Sequence, residues 1–241
     1  TCGGTLSVTA SGAALAAGDT FTLFSAAAYA GGFAEIHLCP WWHRLGHYEP
    51  NPGLFPHGLA GLKQVTDKLH AAGFKVGLHT LTGCIQVDDP WVTPVPDKRL
   101  TKDARFTLAQ AVSADDTVIT TLERPVGLET FWSDMSTGNT LQIGDEIVAY
   151  TGISQEPPFG FTGCTRGQWG TRRSAHEQGA TAEHLVASYC CYFPDENSTL
   201  VGLIQLQDRQ RQANLIIQVT WITKCVITLL EHFCDQFFGC R

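Results

Sequence analysis

The amino-acid sequence predicts an α/β protein into which a small all-β module is inserted. Residues from Gly58 to Ala72 have the spacing of an amphipathic helix, and Phe74 to Thr80 then read as a strand. Helix, glycine and strand in this order form the αβ step of a parallel α/β fold. Short strand candidates between about Arg105 and Glu183 predict the inserted module.

Residues 1–39 differ in composition from the rest of the chain. They are rich in Gly, Ala, Ser and Thr, and stretches such as Thr5–Thr9 and Thr20–Phe24 alternate as strands do. The segment resembles the β-solenoid stretch of autotransporter-like bacterial surface proteins. We therefore expect a β-rich, solenoid-like segment with a structural role.

Residues 40–104 contain the predicted α/β elements. One stripe of the helix is apolar, and Gly73 is placed to end the helix. The stripe consists of Leu59, Leu62, Val65 and Leu69. An amphipathic helix followed by a strand is expected to pack its apolar stripe against a sheet.

Residues 105–184 form the predicted β module. Thr117–Thr121 and Glu146–Tyr150 are strand candidates, and Gly144-Asp145 is a turn candidate. Alternating glycines around Arg166 suggest a tight hairpin whose arginine pairs with a carboxylate or covers an aromatic ring. His176 and His184 of this module are expected to be structural.

The last two segments are residues 185–200 and 201–241. Ala187–Phe193 read as one buried strand. The final segment is unassigned but favours a helix, because its apolar residues keep a helical period from Leu215 to Phe233. Strands and a membrane span remain alternatives, although Gln218 and Lys224 interrupt the apolar run.

The stretch GHYEPNPGLFPHGLAGLKQVTDKLHAAGFKVGLHTLTGCI resembles the first two β/α units of barrel glycoside hydrolases related to α-galactosidases. The matching positions are Phe55-Pro56-His57-Gly58 before the helix and Ala72–Gly77 at the strand. The inserted IGDEIVAYTGIS and FTGCTRGQWGTRRSAHEQGA resemble a small β module found in such bacterial hydrolases and in phage structural proteins. YCCYFPDENSTL resembles the return to the third barrel strand.

This resemblance implies an incomplete (β/α) barrel-type segment that carries the β module. It also implies hydrolysis of glycosidic bonds by paired carboxylates, a carbohydrate partner, no cofactor, and a secreted or cell-surface location in a bacterium. Nothing after Leu200 resembles the strand that carries the nucleophile in that family. We therefore expect the chain to be inactive alone, as a natural truncation, a fusion or the product of a faulty gene model, because a complete barrel takes about 250 residues.

Charge and cysteine content exclude several classes of function. A net charge of -7 argues against nucleic acid as a partner, and the absence of a polybasic run makes membrane binding unfavourable. Nine cysteines include no CxxC pair, and nine histidines include no HExxH, so no metal site is expected. Free buried thiols and disulfides both remain open, as does the oligomeric state.

Asp195 and Glu196 are weak candidates for catalytic carboxylates because they directly follow the strand predicted at Ala187–Phe193. Neighbouring residues on an extended backbone point in opposite directions, which suits an acid/base pair poorly. The alternative is an Asx turn or a helix N-cap before Ser198.

Aromatic and histidine side chains provide the candidate sugar-binding site. Trp41, Trp42 and Tyr48 form a predicted platform for the apolar face of a sugar ring, and His47 and His79 are predicted to bind its hydroxyls. Packing of these rings in a core is the alternative. A non-catalytic carbohydrate-binding or surface-display module is the corresponding alternative function.

Overall fold

The computed structural model describes residues 35–39, 41–81, 83–128, 139–188 and 191–204. The described residues belong to two compact units, of which the first contains residues 35–81 and the second residues 83–204. Each unit has its own sheets.

The first unit is a strand–helix–strand arrangement. Its described residues form β1 (Glu35–Leu38), α1 (Gly58–Ala71) and β2 (Lys75–Leu78). The two strands are parallel and in register from Glu35↔Lys75 to Leu38↔Leu78. The helix and strand predicted over residues 58–72 and 74–80 are confirmed.

Helix α1 ends as its sequence predicts. Gly73 adopts a φ of 88°, which side chains other than glycine rarely adopt, and the N–H of Phe74 donates to the carbonyl of Leu69 at 3.0 Å. The buried face differs slightly from the predicted stripe, because Leu59 is 40% exposed while Thr66 is fully buried. The Thr66 hydroxyl donates to the carbonyl of Lys63, which makes its burial tolerable.

In the part of the second unit that the structure describes, short strands form three small sheets. Its four-stranded sheet has the order β4-β10-β6-β7, and its two three-stranded sheets have the orders β5-β9-β8 and β11-β12-β3. The strands are β3 (Ile85–Gln86), β4 (Lys102–Thr107), β5 (Val118–Thr120), β6 (Asn139–Ile143), β7 (Glu146–Tyr150), β8 (Gly152–Ser154), β9 (Gly160–Thr162), β10 (Thr181–Leu185), β11 (Ala187–Ser188) and β12 (Cys191–Tyr192). A 3-10 turn occupies Gln168–Gly170, and residues 199–204 are helical.

The first core of this unit lies between the four-stranded sheet and the β5-β9-β8 sheet. Phe161 is fully buried and packs edge-on against Phe106, with ring centroids 5.2 Å apart. The predicted strands at residues 117–121 and 146–150 are confirmed as β5 and β7. The predicted turn is confirmed too, because Ile143 pairs with Glu146 and Gly144 has a φ of 61°.

A second core lies beside the β11-β12-β3 sheet. Its fully buried members come from strands, loops and the helical segment 199–204. They include Ile85, Val92, Ile147, Tyr192 and Leu200. The hydroxyl of Tyr192 lies 3.0 Å from the Thr140 hydroxyl and accepts a hydrogen bond from the indole N–H of Trp169.

The prediction of an α/β fold with an incomplete (β/α) barrel-type segment is wrong. Among the described residues strand is more abundant than helix, and the strands form mainly small antiparallel sheets. Only β1 and β2 pair in parallel among the described residues. An apolar run shows which residues are buried, but it does not show whether the strand pairs in parallel.

The segment predicted as a third barrel strand shows the cause of the error. Ala187–Phe193 form two strands rather than one, because Ala187 pairs antiparallel with Tyr192. The second of these strands then pairs with β3, again antiparallel. The chain therefore reverses within a run that reads as continuous in sequence.

Two predictions lie outside the described residues. They are the solenoid-like segment over residues 1–34 and the helix with apolar period from Leu215 to Phe233. Residues 35–38, at the end of the predicted solenoid-like segment, form β1.

Leu141→Ala tests the assignment of the first core. Leu141 is fully buried in β6, so we expect the substitution to lower the free energy of unfolding by about 2–5 kcal/mol, through lost burial and a residual cavity. Leu122 is 63% exposed, and Leu122→Ala is the matched control, with an expected change within about 0.5 kcal/mol. Urea denaturation measures both, and equal effects would contradict the assignment.

Candidate functional site

The predicted sugar platform is a packed cluster in the first unit. Trp41 and Tyr48 stack at 6.2 Å, and Trp42 meets both rings edge-on. His79 follows β2 and stacks on Trp42 with ring centroids 6.0 Å apart. The indole N–H of Trp41 donates to the carbonyl of His79, and the Tyr48 hydroxyl accepts the N–H of Leu81. The structure therefore brings together four of the five predicted sugar contacts.

Burial determines what this cluster can do. Trp41, Trp42 and Tyr48 are 2%, 4% and 0% exposed, so none of the three rings offers a free face to a sugar. Burial, with a smaller contribution from His37, lowers the pKa of His79, which favours its neutral form. His47, the fifth predicted contact, is half-buried. The arrangement is that of a core, the alternative that the sequence left open.

The weak catalytic candidates lie in a turn of the second unit. The Asp195 carboxylate accepts the backbone N–H of Asn197 at 2.9 Å, and the hydroxyl of Ser198 caps the segment 199–204 by accepting the N–H of Leu200. Glu196 is exposed. These contacts are those of an Asx turn followed by a helix N-cap.

An open groove of about 460 Å³ lies elsewhere in the second unit. It combines one large aromatic ring, proline and valine side chains, and charged groups of both signs. The lining residues are Pro90, Trp91, Val95, Pro96, Asp97, Lys98, Arg99 and Asp145. An apolar surface with a few polar groups around it is the usual composition of a small-molecule site.

The loop that forms the groove is held in place by specific bonds. The Asp89 carboxylate accepts the N–H of Trp91 at 3.0 Å, and the carbonyl of Trp91 accepts the N–H of Asp97 at 2.8 Å. Val92 is fully buried in the second core, while the side chain of Gln142 donates to the carbonyl of Pro96. The groove is therefore shaped before any ligand arrives.

Asp97 and Arg99 form a two-point ion pair at the groove. Arg99 Nε and Nη2 donate to the two oxygens of Asp97 at 2.9 and 2.7 Å, and Nη1 donates to the Thr199 hydroxyl. The bond from Arg99 lowers the pKa of Asp97. Asp97 is consequently ionised near neutral pH and unsuited to donate a proton.

Two further charges of the groove are exposed to solvent. The ammonium group of Lys98 and the carboxylate of Asp145 have no ion pair with any other residue that the structure describes. Lys98 is therefore available as a hydrogen-bond donor and Asp145 as an acceptor.

The sequence prediction missed every residue of this groove. The available signal was PWVTPVPDKR, a proline-rich stretch in which one tryptophan is followed by charges of both signs. The contribution of Asp145 had no such signal, because it comes from the β6–β7 turn.

The buried carboxylate of Glu146 organises the same unit. It accepts hydrogen bonds from Arg166 Nε and Nη2 and from the backbone N–H groups of Gly167 and Ser174, at 2.7–3.2 Å. His176 Nε2 lies 2.8 Å from the same carboxylate. The predicted pairing of Arg166 with a carboxylate is confirmed.

The pKa of Glu146 reflects these bonds. Burial alone would raise the pKa, but the bonds from His176 and Arg166 outweigh burial and lower it to about 2. Glu146 therefore serves as a fixed anion that joins parts of the fold, and it is not a proton donor.

A second polar chain connects Asp103, His184 and Tyr150. His184 Nδ1 lies 2.6 Å from the Asp103 carboxylate, and His184 Nε2 lies 2.9 Å from the Tyr150 hydroxyl. Although the order resembles a nucleophile–base–acid chain, burial and the charge of Asp103 raise the pKa of Tyr150. The phenol therefore stays protonated, and the three residues tie β4, β10 and β7 together.

No group of three or more His, Cys, Asp or Glu side chains suited to a metal ion occurs among the described residues. Within the same residues no helix has the length and apolar character needed to cross a membrane. No protein-family model, curated protein or solved structure matches this chain.

Lowering the pH tests the role of Glu146. Its folded-state pKa lies below the ordinary value of 4.5, so its ionised form stabilises the fold above pH 4.5, and that contribution is lost as the pH falls towards 2. We expect Glu146→Gln to lower the free energy of unfolding by about 3–5 kcal/mol at pH 7. In this variant the free energy of unfolding should also fall much less between pH 4.5 and 2 than it does in the wild type.

Denaturant titrations at several pH values measure this effect. Glu177 is an exposed residue of the same unit, and Glu177→Gln is the matched control, expected to keep the wild-type pH profile. A wild-type stability that stays constant from pH 4.5 to 2 would contradict the role given to Glu146.

Proposed function

We propose that this chain is a carbohydrate-binding protein whose second unit binds a glycan in the groove beside Trp91, without hydrolysing it. The observation that best supports this proposal is the composition of the groove, in which an indole ring lies among acidic and basic side chains that can form hydrogen bonds. Sugar rings present apolar C–H faces and a rim of hydroxyls, and this combination of side chains suits both.

The charges of the groove support binding of hydroxyl groups. Asp97 and Arg99 hold each other in a fixed geometry, so their remaining donor and acceptor positions are preorganised. Lys98 adds a donor and Asp145 an acceptor that are not committed to partners within the described structure. A sugar hydroxyl can accept a hydrogen bond from Lys98 and donate one to Asp145.

The ionisation of the groove favours binding over hydrolysis. Glycoside hydrolysis needs a protonated carboxyl group near the leaving oxygen, usually one with a raised pKa. In the groove, Arg99 lowers the pKa of Asp97, whereas an acid catalyst would need a raised pKa. The proposal therefore keeps the carbohydrate partner expected from sequence and assigns no catalytic residue. A secreted or cell-surface location, where such glycans occur, is part of it.

Substitution of Lys98 tests the groove with little risk to the fold, because its side chain is exposed. We expect Lys98→Ala to weaken binding of the best ligand from a glycan array about threefold or more, through loss of a charged donor. Lys68 is an exposed lysine on α1, and Lys68→Ala is the matched control, expected to bind as the wild type does. Calorimetric titration measures the dissociation constants.

Trp91→Ala tests the aromatic part of the groove. Loss of the ring should weaken binding at least about tenfold, which corresponds to about 1.4 kcal/mol. Because Trp91 also packs against the second core, circular dichroism must show that the variant is folded. Folded Trp91→Ala and Lys98→Ala variants with wild-type affinity would refute the site, and turnover of aryl glycosides by the wild type would refute the non-catalytic role.

A further inference from the structure

Two cysteines lie at neighbouring strands of the β11-β12-β3 sheet, one just before its strand and one within it. Cys84 directly precedes β3, and Cys191 begins β12, where it pairs with Gln86. Side chains two residues apart on a strand point to the same face, so Cys84 is the diagonal neighbour of Cys191. The Cys191 side chain lies close enough to Cys84 to change the pKa of its thiol.

The two thiols differ in their access to solvent. Cys84 is half-buried, whereas Cys191 is 2% exposed. Interaction with the Cys191 side chain lowers the pKa of Cys84 against the opposing effect of burial, which increases the fraction present as thiolate. The thiolate is the reactive form of cysteine, so a small reagent should react first at Cys84.

The other described cysteines do not combine a neighbouring thiol with a lowered pKa. Cys164 is buried in the first core and directs its thiol to the carbonyl of Phe161. Burial raises the pKa of Cys164 to about 11, and burial also raises that of Cys39 to about 11. These two thiols are unreactive by comparison, which makes Cys164 a suitable reference within the same unit.

We propose that Cys84 and Cys191 are a redox-active pair that forms an intramolecular disulfide by exchange with a low-molecular-weight disulfide. Cys84 is the attacking residue and Cys191 the resolving one. The inference rests on the strand register and the contact between the thiols, and it is independent of glycan binding.

The exchange takes place in two balanced steps. The Cys84 thiolate attacks one sulfur of the small disulfide, forming a mixed disulfide and releasing one small thiolate, which takes up a proton. Cys191 then loses its proton and attacks the sulfur of Cys84, which displaces the second small thiolate. Two cysteines are oxidised, and one small disulfide is reduced to two thiols.

The cross-link would act on a weak point of the fold. The ladder between β3 and β12 consists of only two residue pairs, Cys191↔Gln86 and Tyr192↔Ile85. A bond between residues 84 and 191 would close the whole β module into one loop, and closing a long loop restricts the unfolded chain. Oxidation should therefore stabilise the second unit.

Mass mapping tests the proposal directly. The reduced protein is incubated with oxidised glutathione, its remaining thiols are alkylated, and the unreduced digest is analysed by mass spectrometry. We expect a peptide linked through Cys84 and Cys191, together with a rise in Tm of at least about 5 °C that dithiothreitol reverses.

Single substitutions separate this link from its alternatives. Cys190→Ala removes the sequence neighbour of Cys191, and Cys164→Ala removes the reference thiol; both variants should keep the cross-link. Cys84→Ala and Cys191→Ala should lose it. A link through Cys190, a persistent glutathione adduct on Cys84, or no reaction in the wild type would each overturn the proposal, whether or not the last two variants fold.

Discussion

The buried carboxylate of Glu146 is the constraint on which the second unit depends. Its side chain is fully buried, and an ionised group is stable in that position only when its charge and lone pairs are matched. Arg166, two backbone N–H groups and His176 supply the match. Arg166 also donates to the carbonyl of Ser113. One anion therefore joins β7, the glycine-rich segment around Arg166 and the loop before β5. The turn that leads into β7 contributes Asp145 to the groove.

The sequence predicted those parts of the fold that depend on local chemistry. Helix α1, strand β7 and the Gly144-Asp145 turn follow from periodicity and from the conformational freedom of glycine, which act over a few residues. The barrel prediction failed because strand pairing is not local. In a barrel, the strand that contains Cys191 would pair in parallel with strands connected to it through helices. In the structure Cys191 instead pairs with Gln86, which lies far earlier in the sequence, and sequence patterns do not show this choice.

The same distinction applies to the sites. Trp41, Trp42 and Tyr48 were correctly expected to cluster, because they are close in sequence, but their burial depends on what covers them. The groove was missed for the converse reason. Trp91 reads as a residue of an irregular loop, and the bond between Thr93 and the carbonyl of Trp169, 76 residues away, shows how distant the groove's supports are. The residues predicted from sequence to bind a sugar lie in the first unit, whereas the groove beside Trp91 lies in the second.

Native-state hydrogen exchange tests the central role of Glu146 most directly. The backbone N–H groups of Gly167 and Ser174 lie outside the strands, and their acceptor is the Glu146 carboxylate. If that carboxylate holds the unit together, both amides should exchange only through global unfolding, as slowly as the amide of Val148 within β7. Fast exchange at Gly167 and Ser174, with Val148 still protected, would show that the segment opens independently and would contradict the account.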